Sequence, residues 1–254
     1  MKKQVISFSG AGIFIMALSI GLANAAPIDL SNWEQWGDSK AGNWVVSSDH
    51  TSVTQTINGD PTYFVSDQNY LNTTFKGSFG VNTSNDDDFI GFIFGATLGA
   101  TDKAHFYLFD WKQDTQKWNG KDGHEGFTLS VIDDTADDGI NADFWGHSGD
   151  DLTVLATDYG SNKGWDDNTS YNFILNYTTT SITISIDGTT IFEVTGMNGN
   201  PNGKFGFYNY SQNNVTYQGF EETPTPSPVP EPASMLLFGT GLAGLAGIRR
   251  RTKK

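Results

Sequence analysis

The sequence predicts an all-β domain of two packed antiparallel sheets over about residues 28–222. Three observations support this. Short strand-like runs recur with turn residues between them. No helical period of useful length occurs in the span. In Ser181–Ile186 every second residue is isoleucine, so one face is buried and the other is wet. The 29 glycines, set among many Asn, Thr and Ser residues, fit frequent turns and exclude a coiled coil or helical bundle.

In order, the expected strands are Trp44–Ser47, Ser52–Ile57, Thr62–Val65, Leu71–Val81, Phe89–Gly95, His105–Trp111 and Phe127–Ile132. Then follow Leu152–Ala156, Tyr171–Tyr177, Ser181–Ile186, Thr190–Val194, Lys204–Tyr208 and Val215–Phe220. Asn58–Pro61 reads as a turn. Asp187–Gly188 forms a tight hairpin into Thr190–Val194. This number of short strands suits a single domain. The hydrophobic share is only 37%, but 13% of residues are aromatic, and each aromatic buries a large area.

The formal charge is -14 over 254 residues. Seven of the 15 basic residues lie at the two ends. That leaves eight lysines against 28 carboxylates (29 less Glu231), about -20 in the middle. This sign excludes a nucleic-acid binder of the usual kind. Most of the acids are Asp, the short carboxylate suited to tight loops and calcium sites. No cysteine is present, which excludes disulfides, thiolate zinc sites and a cysteine nucleophile.

Residues 1–25 read as a secretory signal peptide. Lys2 and Lys3 open it, a short apolar run spans Ile13–Leu22, and Ala23 and Ala25 supply the cleavage site. The run is too short to span a bilayer. At the other end, residues 223–230 form a stiff Pro-rich linker. Val229, Pro230, Glu231 and Pro232 precede a glycine-rich apolar stretch, Met235–Ile248, closed by Arg249, Arg250 and Arg251. The stretch is marginal for a membrane span, and the basic cluster would stay cytoplasmic. It reads as a hydrophobic helix giving a transient inner-membrane anchor. The order of parts over 229–254 resembles the PEP-CTERM sorting tail. The resemblance implies an exosortase-type processing enzyme and a Gram-negative, usually exopolysaccharide-producing cell. An ordinary C-terminal anchor is the alternative.

The densest segment is Asn85–Gly95, where three carboxylates precede a buried strand. Phe106–Gln113, Trp145–His147, Gly164–Tyr171 and Gly203–Gln212 follow. This ordered set resembles the thrombospondin C-terminal domain. The match begins near Asn43–Val46, includes Thr54–Pro61, and runs to about Glu222. It implies that residues 26–222 form a jelly-roll sandwich of the concanavalin or L-type-lectin kind. Two departures matter. Eukaryotic relatives carry cysteines, and Gly59 stands where such a chain has one. The calcium-binding Asp repeats that precede the domain in thrombospondins are missing. Attachment through eukaryotic receptors therefore does not transfer.

Calcium takes about six to eight oxygens and prefers carboxylates presented by loops. Asp86, Asp87 and Asp88 stand at the start of a strand, with Asp86 and Asp88 expected on one face. Three adjacent carboxylates repel unless screened. The resemblance implies calcium here. Asp110 is a further candidate ligand, as are Asp133, Asp134, Asp137 and Asp138. A solvated acidic loop is the alternative. For sugar stacking the candidates are Trp118, Trp145 and Trp165, in Gly- and Asp-rich segments, whereas Trp111 lies within a strand. A hydrolase would need two carboxylates across a sugar bond. Glu34, Glu125, Glu193, Glu221 and Glu222 form no Glu-x-Asp-x-Glu strand, and His50, His105, His124 and His147 lack the spacing of a metal triad.

The expectation is therefore a secreted, calcium-supported, non-enzymatic module that binds exopolysaccharide or a matrix or surface protein. A carbohydrate-active hydrolase on the same scaffold is the alternative. Processed protein is expected to lack residues 1–25 and the arginine-rich tail. Intact-mass measurement checks this, and released protein retaining Arg249–Arg251 would sink the sorting expectation.

Overall fold

The computed structural model describes residues 27–98, 104–134 and 141–224. Ala23, Ala25, Asp137, Asp138, Pro230, Glu231, Pro232, Arg249, Arg250 and Arg251 lie outside the described residues. The described residues form sixteen strands. The first eight are β1 (Glu34–Gly37), β2 (Trp44–Val46), β3 (Ser52–Gln55), β4 (Thr62–Tyr70), β5 (Thr73–Val81), β6 (Phe89–Leu98), β7 (Ala104–Lys112) and β8 (Gln116–Trp118). The rest are β9 (Lys121–Gly123), β10 (Gly126–Asp133), β11 (Leu152–Tyr159), β12 (Ser170–Tyr177), β13 (Ser181–Ile186), β14 (Thr189–Thr195), β15 (Gly203–Tyr210) and β16 (Val215–Pro224).

Two seven-stranded sheets result, one ordered β1-β4-β15-β6-β7-β10-β11 and the other β14-β13-β12-β5-β16-β3-β2. A small β8-β9 hairpin stands apart. Each expected strand is present. Leu71–Val81 begins instead at Thr73, because Asn72 takes a left-handed turn conformation (φ 54) between β4 and β5. β1, β8 and β9 were not expected. β1 is a short polar edge strand, paired only to β4.

Side chains alternate across each strand, so one strand serves two cores. Phe92 on β6 and Phe109 on β7 face the space between the sheets, where their rings stack 4.8 Å apart. Phe75, Phe79, Phe173, Phe205 and Tyr217 fill the same space from both sheets. The opposite face of the first sheet is also covered. There Phe89, Ile93, Phe106, Leu108 and Tyr208 pack with Trp145 and Leu152. Residues 141–151 cross that face, closed by an isolated bridge between Asp143 and Ser148. β7 is therefore buried on both sides, and its polar residues Asp110 and Lys112 lie on the face beneath this crossing segment.

Gly91 shows how closely β6 and β7 approach. It pairs with Asp110, and a Cβ there would stand 2.0 Å from the Phe109 carbonyl oxygen. Gly91→Ala is expected to destabilise the domain by about 1–3 kcal/mol, because backbone must move. Thermal melts check this, and an unchanged midpoint would contradict so tight an approach.

Candidate functional site

Asp86, Asp87 and Asp88 lie in irregular backbone just before β6. One oxygen from each lies within 4.8 Å of the others. Lys112, the last residue of β7, reaches them with a fully buried side chain. Its ammonium donates to Asp88 Oδ1 at 2.7 Å, the Asp87 carbonyl at 3.0 Å and Gln116 Oε1 at 3.2 Å. Asp87 Oδ1 is 3.4 Å away. The same ammonium lies 4.8 Å from the Trp145 ring centroid and 5.3 Å from that of Phe89. Around this centre, the Gln116 amide donates to Asp87 Oδ2 at 2.7 Å, and the Asn58 amide donates to Asp86 Oδ2. The Asp88 backbone is held as well. Its N–H donates to Gln212 Oε1 at 3.0 Å, and its carbonyl accepts the Trp165 indole N–H at 3.1 Å.

Lys112 cancels one of three negative charges. Two remain, the charge of one divalent cation. Burial and the charge of Asp88 push the Asp86 carboxyl up to about 6. Burial also raises Asp87, with Lys112 opposing it. Half-buried loop carboxylates short of positive charge fit calcium, which Asp86, Asp87 and Asp88 would hold.

An open cleft of about 520 Å³ adjoins these residues. Its lining includes Asp88, Asn58, Gly59, Asp60 and Gln116 together with Trp118, Trp145 and Tyr210. Trp118 ends β8, where Asn119 (φ 48) and Gly120 (φ 81) make the tight turn into β9. It is 57% exposed, with its ring centroid 6.3 Å from that of Trp145. Trp145 itself is 6% exposed, wedged edge-on against Phe89 and Tyr210. Two lining residues approach closely: a Cβ on Gly59 would meet the Ala41 carbonyl oxygen at 2.5 Å. A cysteine at this position would need a different backbone.

The structure thus brings together Asp86, Asp87, Asp88, Trp118 and Trp145. Three expectations need correcting. Trp145 is buried with the Lys112 ammonium against its ring, so it backs the cleft and leaves the open sugar face to Trp118. Trp165 is 1% exposed, so its ring offers no sugar face; it supports the Asp88 backbone from the core. Asp110 stands apart from the acidic group. It is buried, and Asp110 Oδ2 pairs with His147 Nε2 at 2.8 Å. Asp133 pairs loosely with His105 at 3.3 Å, and Asp134 is buried. Sequence reasoning missed Lys112, Asn58 and Gln116. The signal available was Lys112 itself, a charge closing a strand rich in aromatic residues.

The family profile of the thrombospondin C-terminal region matches residues 39–223. The chain belongs to this family. The profile of the PEP-CTERM protein-sorting motif matches residues 228–251. Thrombospondin-2 of Gallus gallus is 34% identical over 142 residues, covering 52% of this chain and 12% of that protein. Cartilage oligomeric matrix protein of Rattus norvegicus is 33% identical over 144 residues, covering 53% and 18%. The chain therefore matches only a small part of the length of these relatives. Among solved structures, a protein of unknown function with a galectin-like fold from Bacillus subtilis aligns with TM-score 0.52 at 12% identity, covering 80% of this chain and 95% of that one. The VIP36 exoplasmic/lumenal domain, in a Ca2+/Man3GlcNAc-bound form, aligns with TM-score 0.50 at 13% identity, covering 78% and 86%. The carbohydrate-binding module CBM66 from Bacillus subtilis gives 0.50 at 12%, covering 75% and 94%. At such identities the likeness is one of fold, and it establishes the lectin-like jelly roll for this thrombospondin C-terminal domain.

Two predictions follow from the charges. Lys112→Met leaves Asp88 buried without a cation and is expected to cost about 3–5 kcal/mol in chelator. Added calcium should recover more stability in the variant than in the parent. Equal melts of both proteins in chelator would contradict the role of Lys112. The second concerns pH. With its carboxyl raised, folded Asp86 holds a proton more tightly than the unfolded chain does. That contribution is fully present below the ordinary value of 3.8 and is lost as pH rises to about 6. In chelator, Asp86→Asn should remove a fall in melting temperature across that window. Calcium held here would need the ionised form, so its stabilisation should grow over the same range. Identical pH profiles for parent and variant would count against the shift.

Proposed function

We propose that this is an exported domain that binds polysaccharide in the cleft beside Trp118 and Trp145, with calcium held by Asp86, Asp87 and Asp88. One observation carries the reading. The ammonium that binds Asp87 and Asp88 also lies against the ring of Trp145, beside the exposed ring of Trp118. A flat aromatic face beside hydrogen-bonding groups in an open cleft suits a sugar ring. Calcium would supply the missing positive charge and fix the segment before β6, in a chain without disulfides. The sugar-bound form of VIP36 and the name of CBM66 support the assignment, since both use this scaffold.

The sorting motif supports export and processing by an exosortase-type enzyme. The destination is then the cell surface or extracellular matrix of a Gram-negative cell, after transient anchoring in the inner membrane. Binding is favoured over hydrolysis because the clustered carboxylates are engaged by Lys112, Gln116 and Asn58. They do not stand free as an acid and a base across a sugar bond.

Glycan-array binding with and without chelator tests the reading. Calcium at a hundredfold excess over its dissociation constant should stabilise the domain by about 2.7 kcal/mol. Trp118→Ala should weaken glycan binding about tenfold without shifting the melting temperature. Binding indifferent to Trp118 would move the site elsewhere. Turnover of a glycan, abolished by one carboxylate change, would make the domain a hydrolase.

A further inference from the structure

We propose that the cleft selects by charge, taking glycans that carry free amino groups in preference to glycans that carry carboxylates. The inference rests on the glycan reading of this cleft and adds the class of sugar. Beyond the calcium segment, the charged residues lining the cleft are Asp38, Asp60 and Lys40. Other lysines nearby are committed. Lys112 is bound by Asp87 and Asp88. Lys117 and Lys121, either side of the Trp118 turn, pair with Asp122 at 3.1 Å and Asp143 at 2.8 Å. Among the described lining residues, Lys40 alone brings an uncommitted positive charge.

The sign of the cleft does not depend on the metal. With calcium bound, three carboxylates, Lys112 and the divalent ion sum to zero. Asp38, Asp60 and Lys40 then leave one negative charge. Without calcium the cleft carries two or three, as Asp86 is protonated or ionised. An ammonium is attracted in both states, and a uronate is repelled in both. Asp60 is exposed and its carboxylate has no hydrogen-bond partner among the described residues, so its oxygens are open to a ligand amine. The exposed Trp118 ring adds a cation–π surface for the same amine. The excess negative charge of the whole middle of the chain extends this preference beyond the cleft.

The test is calorimetric titration of the full chain with three probes at about pH 6, where a sugar amine is charged. The probes are glucosamine oligomers, the same oligomers N-acetylated, and galacturonate oligomers. Free-amine oligomers should bind about threefold to tenfold more tightly than acetylated ones, with galacturonate weakest. The gap should widen in chelator, shrink at high salt and shrink in Asp60→Asn with calcium present. Equal binding of free-amine and acetylated oligomers, or tightest binding of galacturonate, would overturn the inference. Trp118→Ala separates it from the reading beneath. If all probes bind equally and all weaken in Trp118→Ala, charge selection fails while the glycan site stands. If no probe binds, the glycan reading fails and takes this inference with it.

Discussion

The buried ammonium of Lys112 connects the parts of the candidate site. It satisfies Asp88, approaches Asp87, and lies against Phe89 and Trp145. A charge removed from water this completely is tolerable only with a full set of partners. Those partners come from the segment before β6, from Gln116 on β8, and from the residues crossing the outer face. Their positions are therefore interdependent. A change in charge at Asp87 or Asp88 acts on the same ammonium that supports the cleft tryptophan.

That arrangement depends in turn on a sheet buried on both faces. Aromatic packing between the sheets fixes β6 and β7, with Phe92 stacked on Phe109 and on the rings of the opposing sheet. The second cluster, under residues 141–151, gives Lys112 and Asp110 a low-dielectric setting. There His147 Nε2 meets Asp110 Oδ2 at 2.8 Å, while Asp110 Oδ1 has no partner among the described residues. In a chain without cysteine, this double layer of aromatic burial does the work that cross-links do in small secreted domains.

How much of this was legible follows from where each signal lies. Strands with one wet face announce themselves by alternation, as in Ser181–Ile186. β8 and β9 did not, although Asn119–Gly120 is a strong hairpin signal, because strands of three residues carry no period. The acidic triad was legible because its members are adjacent in sequence. Its neutralising lysine was not, because Lys112 and Asp88 meet only through the pairing of β6 with β7. Trp118 and Trp165 share the same kind of Gly- and Asp-rich surroundings in sequence. Only tertiary packing separates the exposed ring from the buried one.

The abundance of Asp is a weaker signal for metal than it first looks. Part of it is turn and loop chemistry. The carboxylates of Asp29, Asp38, Asp49 and Asp143 accept backbone N–H groups two residues along, and Asp187 accepts the N–H of Asn172. Glu is a methylene too long to close such turns as well, which accounts for the bias against it. The direction of titration sorts the two uses. Hydrogen bonds from Ser31 hold Asp29 below the ordinary carboxylate value, and those from Ser47 and Thr51 do the same for Asp49. Asp143 is lowered too: burial pulls the other way, but Lys121 and the backbone of Gly146 and Trp145 prevail. Asp86 and Asp87 move upward instead, because burial and mutual repulsion outweigh their partners. The two that folding leaves short of positive charge stand together, at the edge of a cleft that also presents the exposed ring of Trp118.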